Sequence, residues 1–401
     1  MGIYIREKEM SELSLVDYYR KNDFNPVLIQ VEDIPTWRKH FDKRRNLYEN
    51  HLKIPLTLLG DKSVIEFGPN SGENALVLAV HRANLTLIEP NEKVIPRLKE
   101  LFEKFGVKDT IKTLSNQTLE SYQTHDKFRI AIAEGFLYTL PNRDKMLEKI
   151  AGWLLPGGFG IVSYNDRYGS LMEALRRFML FKVCELEGIK DVHSEASLAV
   201  ARRLFEEDFS LISSSRKFEA WWKDTLVNPL VSSKYLWSFE EMVKILERCD
   251  CLPYSTSPVW STSDQYRWYK NLREPGHIKI KWMSDWIYSL RYFISGLAAI
   301  DTSTKSLGAD TVCAVKDFVC ALFDGAEQTP VKVPEYPEKI DLLLSSSNDV
   351  RLRLFNMELK TLLSLLGGTS VADILTCYRN TIFLRHSWGT PYHYLCFQRE
   401  N

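Results

Sequence analysis

The chain has 401 residues, 45% of them hydrophobic and 26% charged, a composition that excludes a disordered chain and leaves room for one α/β domain with about as much again of added structure. Fifty-two basic residues balance fifty-two acidic ones, so no overall cationic field exists to gather a nucleic-acid backbone. Neither a run of about 18 apolar residues nor an apolar stretch in MGIYIREKEM is present, and a cytoplasmic protein without a membrane span is the expectation.

In chain order, residues 33–53 (DIPTWRKHFDKRRNLYENHLK) place Trp37, Phe41, Leu47, Tyr48 and Leu52 on one stripe. This predicts a helix ending before Pro55, within an N-terminal helical cap over residues 1–58. From Ser63 short apolar runs alternate with amphipathic ones: SVIEF, NALVLAV, LTLIEP, IPRLKELFEKF, TIKTLS, FRIAIAE, RDKMLEKIAGWL and, after a turn at PGG, GIVSYN. Such alternation predicts a mostly parallel, doubly wound α/β core over residues 59–166, with strands covered on both faces. Residues 167–390 read as a mainly helical elaboration, with the acceptor region and later sheet elements among them. The stretch Glu327 to Lys339, with three prolines, is expected as an internal linker or surface loop. The terminal PYHYLCFQRE alternates like a strand, so residues 391–401 are expected to return to the sheet as an antiparallel strand.

The basic clusters, Arg38, Lys39, Lys43, Arg44 and Arg45, and Arg176 with Arg177, read as solvated helix faces. Seven cysteines (Cys184, Cys249, Cys251, Cys313, Cys320, Cys377 and Cys396) lack CxxC spacing and read as reduced thiols. Cys249 and Cys251 flank Asp250, but a structural zinc site needs four ligands, so no metal is expected.

The chemistry concentrates in VIEFGPNSGENALVLA. A strand ending in Glu66 runs into Gly68, Pro69, Asn70, Ser71 and Gly72 and then a helix. Glycines let the backbone turn tightly beneath a ligand, and the free amides of a helix start favour an anionic group. The second strand, LTLIEP, ends in Glu89 and Pro90, with Glu89 seventeen positions beyond Gly72, where an acid can accept both hydroxyl hydrogens of a ribose. A nicotinamide dinucleotide is disfavoured because GPNSG spaces its glycines four apart with no third in register. Glu66 as a sheet-end or helix-capping carboxylate, and Glu89 as a solvated strand end, are the plain structural alternatives.

Glycine turn and strand-end acid together make the sequence resemble the class I S-adenosylmethionine-dependent methyltransferases, over roughly residues 35–166 and the final strand. The resemblance implies a Rossmann-like fold and S-adenosyl-L-methionine as cofactor. It implies Glu66, Gly68, Pro69, Asn70, Ser71 and Gly72 around the methionine moiety and Glu89, beside Pro90, on the ribose. Asn116 or Gln117 would stand near the adenine, and Glu134, Gly135, Phe136 and Tyr138 beside the transferable methyl. LLPGG before strand five is a further family feature, and Arg45 and Tyr48 of the N-terminal helix would close over the cofactor, with core packing as the alternative for Tyr48. Asn70 departs from the usual middle glycine, yet asparagine tolerates positive φ better than most residues.

Methyl transfer requires alignment and, for a hydroxyl acceptor, removal of a proton. The candidate bases are Glu134, Tyr138, Asp166, His193 and His386; Asp166 also reads as a loop cap ahead of a helix. Trp221, Trp222, Trp237, Trp260, Trp268, Trp282 and Trp286 suit a hydrophobic subcore or an acceptor pocket, and the helical spacing of Trp282, Trp286 and Phe293 favours core. The expected function is methyl transfer to an oxygen or nitrogen of a small-molecule acceptor, glycans and natural products included, with no nucleic-acid partner. The alternatives are a catalytically inactive binding or scaffold protein of the same fold and aminopropyl transfer, whose paired acids are not apparent.

Overall fold

A computed structural model describes residues 15–21, 25, 27–212, 217–261, 275–296 and 309–400. The chain divides into two compact units, one of residues 1–164, 239–282 and 393–401, the other of residues 165–238 and 283–392.

The first unit carries a seven-stranded sheet: β1 (Ser63–Phe67), β2 (Asn84–Ile88), β3 (Ile111–Ser115), β4 (Phe128–Ala133), β5 (Leu154–Asn165), β6 (Cys251–Ser257) and β7 (Tyr392–Arg399). Their order is β3-β2-β1-β4-β5-β7-β6. The first five strands pair in parallel, and β7 pairs antiparallel with β6, a Rossmann-like α/β sheet closed by an antiparallel C-terminal strand. Helices α1 (Leu15–Lys21), α2 (Ile34–Arg45), α3 (Glu73–Val80), α4 (Ile95–Lys104) and α5 (Arg143–Gly152) belong to this unit. Nearly every residue of β1 and β4 is buried, as parallel strands covered on both faces must be. In α4 a proline opens the helix and Leu98, Leu101 and Phe102 form its buried stripe.

Four details differ from the sequence expectations. The helix of residues 33–53 ends at Arg45 and passes into a π-helical turn, Asn46–His51, whose last amide bond runs from Leu52 to the Leu47 carbonyl. PGG does not precede β5 but lies inside it: Phe128 pairs with Leu154 and Ile130 with Phe159, so five residues of β5 stand opposite two of β4. Leu155, Pro156, Gly157 and Gly158 thus stand against Arg129 alone, three residues in excess, and a strand tolerates proline and glycine at such a bulge. Strand β6 falls among the later sheet elements expected within residues 167–390, but its place was not legible because CLPYSTS is polar and holds Pro253, which an edge strand accommodates. Finally, the basic clusters are not uniformly solvated, for Arg44, Arg176 and Arg177 are buried.

The second unit is helical, with Leu171–Leu186, Glu195–Ser210, Ala309–Ala326, Glu338–Ser345, Val350–Leu366 and Val371–Asn380 its principal segments. Carbonyls and faces of rings take up part of the bonding capacity of its buried arginines, while Nε and Nη1 of Arg176 are buried without a hydrogen-bond partner among the described residues. Arg176 donates to the Ser387 carbonyl at 2.6 Å and lies 4.0 Å above the Trp388 ring. Arg177 donates to the carbonyls of Leu226 and Asn228 and pairs with Glu327 at 2.9 Å. These bonds replace the water that a solvated helix face would have had. Residues 327–337 form a non-helical surface stretch before the helix resumes at Glu338. Among the described residues no helix is long and apolar enough to cross a membrane.

Strand β7 packs through Phe397, which is fully buried, against Gly160 of β5, where an added Cβ would collide with the phenyl ring. Gly160→Ala is expected to cost about 1–3 kcal/mol by overpacking, read as a lower denaturant midpoint, and Phe397→Leu in the same chain should recover part of it. An unchanged midpoint in Gly160→Ala would mean that β7 does not seal the sheet this way.

Candidate active site

The strand order reverses between β1 and β4, and in open parallel sheets the crevice outside the carboxyl ends at such a point is where ligands bind. Here β1 delivers the turn Gly68–Gly72 and β4 delivers Glu134, Gly135 and Phe136. Gly68 and Gly72 have φ of +67° and +93°, open to glycine without strain. Both are also close-packed: a Cβ on Gly68 would stand 3.2 Å from the Phe136 ring, and one on Gly72 3.0 Å from Leu98. Asn70 takes the left-handed conformation, φ +53°, without being glycine. Pro69 is buried and Ser71 donates its hydroxyl to Glu73 while accepting from the Asn25 amide at 2.6 Å.

The turn and the second strand are bonded to each other. Glu89 is buried, and its two carboxylate oxygens accept the backbone N–H of Asn70 and of Asn91, each at 2.7 Å. Burial raises the Glu89 pKa, with those two amides and the Arg20 charge acting against the rise. Each oxygen keeps a free lone pair, so the carboxylate can still accept from a diol. Arg20 of α1 donates to the Pro90 carbonyl at 2.7 Å, and Asn116 donates to the Glu89 carbonyl at 2.8 Å; Asn116 and Gln117 are exposed.

Glu134 is held by α2. Arg44 grips its carboxylate with both terminal nitrogens, at 2.6 and 2.8 Å, and the two side chains are only 9% and 8% exposed. The hydroxyls of Tyr394 and Tyr48 approach the same carboxylate at 3.3 and 3.5 Å. Burial disfavours the guanidinium charge, yet Glu134 and the two tyrosines outweigh it and hold the Arg44 pKa above its ordinary value. Burial pushes the Tyr48 hydroxyl far up. The expected Arg45 is instead exposed and paired with Asp42 at 2.7 Å. Helical spacing carried the signal for Arg44: with Trp37, Phe41 and Tyr48 it completes an i, i+4, i+7, i+11 stripe, which Arg45 leaves.

Two further buried groups respond to this cluster. His40 falls to about 4, chiefly through burial and then the Arg44 charge, and its Nε2 meets the Glu73 carbonyl at 3.2 Å. Glu66 is pushed up to about 8 by burial first and the Glu134 charge second, offset only in part by Arg44. Its Oε2 is buried with no hydrogen-bond partner.

The other candidate bases are distributed differently. Tyr138 is buried in the single turn Leu137–Thr139 after β4, and the Gly135 amide donates to the Ser163 hydroxyl at 2.8 Å. Asp166, His193 and His386 belong to the second unit. There Asp166 accepts the amides of Tyr168 and Gly169, at 3.0 and 2.7 Å, as a loop cap ahead of the helix from Leu171, while both histidines are exposed. Trp221, Trp222, Trp237 and Trp286 are buried in that unit with Phe293, whereas Trp282 is buried and Trp260 half-buried in the first, both packed on Phe239. Trp268 lies outside the described residues.

Arg44→Ala would strand the Glu134 carboxylate in a buried setting and is expected to cost about 3–5 kcal/mol. Adding Glu134→Gln should restore a good part of that loss, and additive costs in a double-mutant cycle of chemical denaturation would deny the coupling. Glu66 offers a pH test. Its folded pKa near 8 exceeds the unfolded 4.5, so the folded chain holds the extra proton between those values and the contribution of Glu66, complete below pH 4.5, is lost as pH rises through 8. Stability of Glu66→Gln relative to the native chain should therefore improve from pH 5 to 8; a constant difference would contradict the assignment.

Residues 38–212 match the family model described as a methyltransferase domain. No curated protein sequence matches the chain. Among solved structures, the CcbJ methyltransferase from Streptomyces caelestis is 15% identical over 39% of this chain and 58% of its own, with a TM-score of 0.29. The N-methyltransferase NodS from Bradyrhizobium japonicum WM9, solved with S-adenosyl-L-homocysteine, is 16% identical over 37% and 74%, at 0.29. The StiE O-MT is 9% identical over 90% and 74%, at 0.36. Three of the matched structures are spanned to 58%, 36% and 53% of their own length, about half. The family match thus covers residues 38–212, less than half of the chain, and over that stretch what the chain resembles is a methyltransferase domain.

Proposed function

We propose that the chain binds S-adenosyl-L-methionine at the carboxyl ends of β1, β2 and β4 and transfers its methyl group to an oxygen or nitrogen of a small-molecule acceptor, a glycan or natural product among them. The observation that carries the reading is the bond from the Asn70 amide to Glu89, which couples the glycine turn to the strand-end acid as one rigid receptor. The residues fit such a ligand. Gly68 and Gly72 leave the turn without side chains, Glu89 retains lone pairs for ribose hydroxyls, and Glu66 presents a buried oxygen with no partner.

Bound there, the cofactor would supply a methyl group activated by its sulfonium. Gly68, Pro69, Asn70, Ser71 and Gly72 would cradle the methionine moiety, its sulfur included, with Glu66, Glu89 beside Pro90 would orient the ribose, and Asn116 or Gln117 would face the adenine. Gly135, Phe136 and Tyr48 would line the cleft, with Arg44 in the part expected of Arg45. Because Glu134 is clasped by Arg44, its role is to position rather than to take a proton. Tyr138 is then the remaining first-unit candidate where a hydroxyl acceptor must lose its proton; an amine with a free lone pair needs no base before attack. Balanced net charge argues for a small acceptor over nucleic acid, and seven unpaired cysteines suit the cytoplasm. A binding protein without turnover is the second reading, and the engagement of Glu134 favours it.

Calorimetric titration with S-adenosylmethionine and S-adenosylhomocysteine tests the first step. Micromolar binding, weakened at least about 100-fold in Glu89→Ala through loss of two charge-assisted bonds, is expected. Absence of binding at millimolar ligand would sink the reading, and binding without turnover across an acceptor panel would select the scaffold alternative.

A further inference from the structure

Three acids converge on the strand ends of the first unit, and each is compensated differently. Glu89 takes two backbone amides, Glu134 takes Arg44, and Glu66 takes neither, its Oε2 being buried without a partner. The charged and titratable groups facing Glu66 are Glu134 after β4, Glu89 after β2, Arg44 of α2 and Tyr48 of the π-helical turn. Tyr394 of β7 and His40 of α2 reach it only through Glu134 and Arg44. Three carboxyl groups thus face two guanidiniums, Arg44 committed to Glu134 and Arg20 acting on Glu89, and neither is left for Glu66. A site of this kind lacks one positive charge.

We propose that Glu66 reads the charge of the ligand, carrying a proton while the site is free, releasing it to solvent as a sulfonium donor binds, and recovering it when a neutral thioether is left. The inference rests on the methyltransferase reading and deepens it by naming the residue that separates donor from spent product. In transfer the sulfur–methyl bond breaks with its electron pair kept by sulfur, the acceptor lone pair forms the new bond to carbon, and the site loses one positive charge. An ionised Glu66 facing a thioether is then buried and unpaired, which its surroundings penalise. Reprotonation removes that penalty but also the attraction, so product is held less strongly than donor. The rise of the Glu66 pKa to about 8 accords with a proton held in the free site.

The test measures protons rather than turnover. Donor and product are titrated calorimetrically at pH 7 in phosphate and in Tris, whose ionisation enthalpies differ. Donor binding is expected to release close to one proton per site and product binding far less. The donor-to-product affinity ratio, in which the amino group shared by both ligands cancels, should climb by up to about tenfold per pH unit between pH 6 and 8 and then level off. In Glu66→Gln both the proton release and the slope should vanish, while Glu66→Asp should keep them; the native ratio and the aspartate variant remain informative where the glutamine variant does not fold. Donor binding without proton release, or a sloping ratio in Glu66→Gln, overturns this inference and leaves the methyltransferase reading standing. Failure of the native chain to bind either ligand overturns both.

Discussion

Burial of carboxyl groups at the carboxyl ends of parallel strands is the constraint on which this site is built. A carboxylate withdrawn from water must find amides, a cation or a proton, and the three acids here use one of each. Glu89 draws the Asn70 turn against β2, because its oxygens need the turn's amide. Glu134 draws α2 onto the sheet, because only Arg44 neutralises it. Glu66 recruits nothing within the chain. The placement of the loops and of the N-terminal helix is in this sense a consequence of satisfying buried charge.

The same constraint explains the departure at the glycine turn. A middle glycine would supply positive φ and close approach; Asn70 supplies the φ, and its amide is aimed at Glu89. What matters to the receptor is the orientation of that N–H, which any residue stable in the left-handed region can deliver, and asparagine is the best of the non-glycine choices. Gly68 and Gly72 are different, since the Phe136 and Leu98 side chains occupy the space a Cβ would need. Two of the turn's positions are thus restricted by volume and one by dihedral angle alone.

The alternation of short apolar runs and amphipathic runs was enough to place β1 to β5 and the helices between them: β1, β2 and β4 are almost wholly buried and carry few polar residues to blur the pattern, while β3, an edge strand with Lys112 and Thr113 exposed, was legible from its place in the alternation. It failed for β6, an edge strand whose polar residues and Pro253 look like loop, and at PGG, where a bulge inside β5 resembles a turn. The glycine turn and the strand-end acid could be read because spacing along the chain determines them. Glu134 and Arg44 could not be joined from sequence, since ninety residues separate them and the pairing exists only once β4 lies beside β1. Helical phase would nevertheless have chosen Arg44 over Arg45, and the arginines at positions 176 and 177 show the same lesson: a charge run on a helix has a buried member whenever the apolar stripe passes through it.

A buried ion pair is weak evidence for stability, because desolvation offsets much of its Coulombic gain. That Arg44 and Glu134 are nonetheless buried together points to a role in specifying geometry: the guanidinium fork fixes the carboxylate plane, and with it the backbone leading into Gly135 and Phe136. A hydrophobic pair of equal volume could hold α2 in place, but it would also remove the Glu134 charge that adds to burial in raising Glu66 and the Arg44 charge that adds to burial in lowering His40. The ion pair therefore does something that packing cannot, since its charges add to what burial already imposes on the protonation of Glu66 and His40.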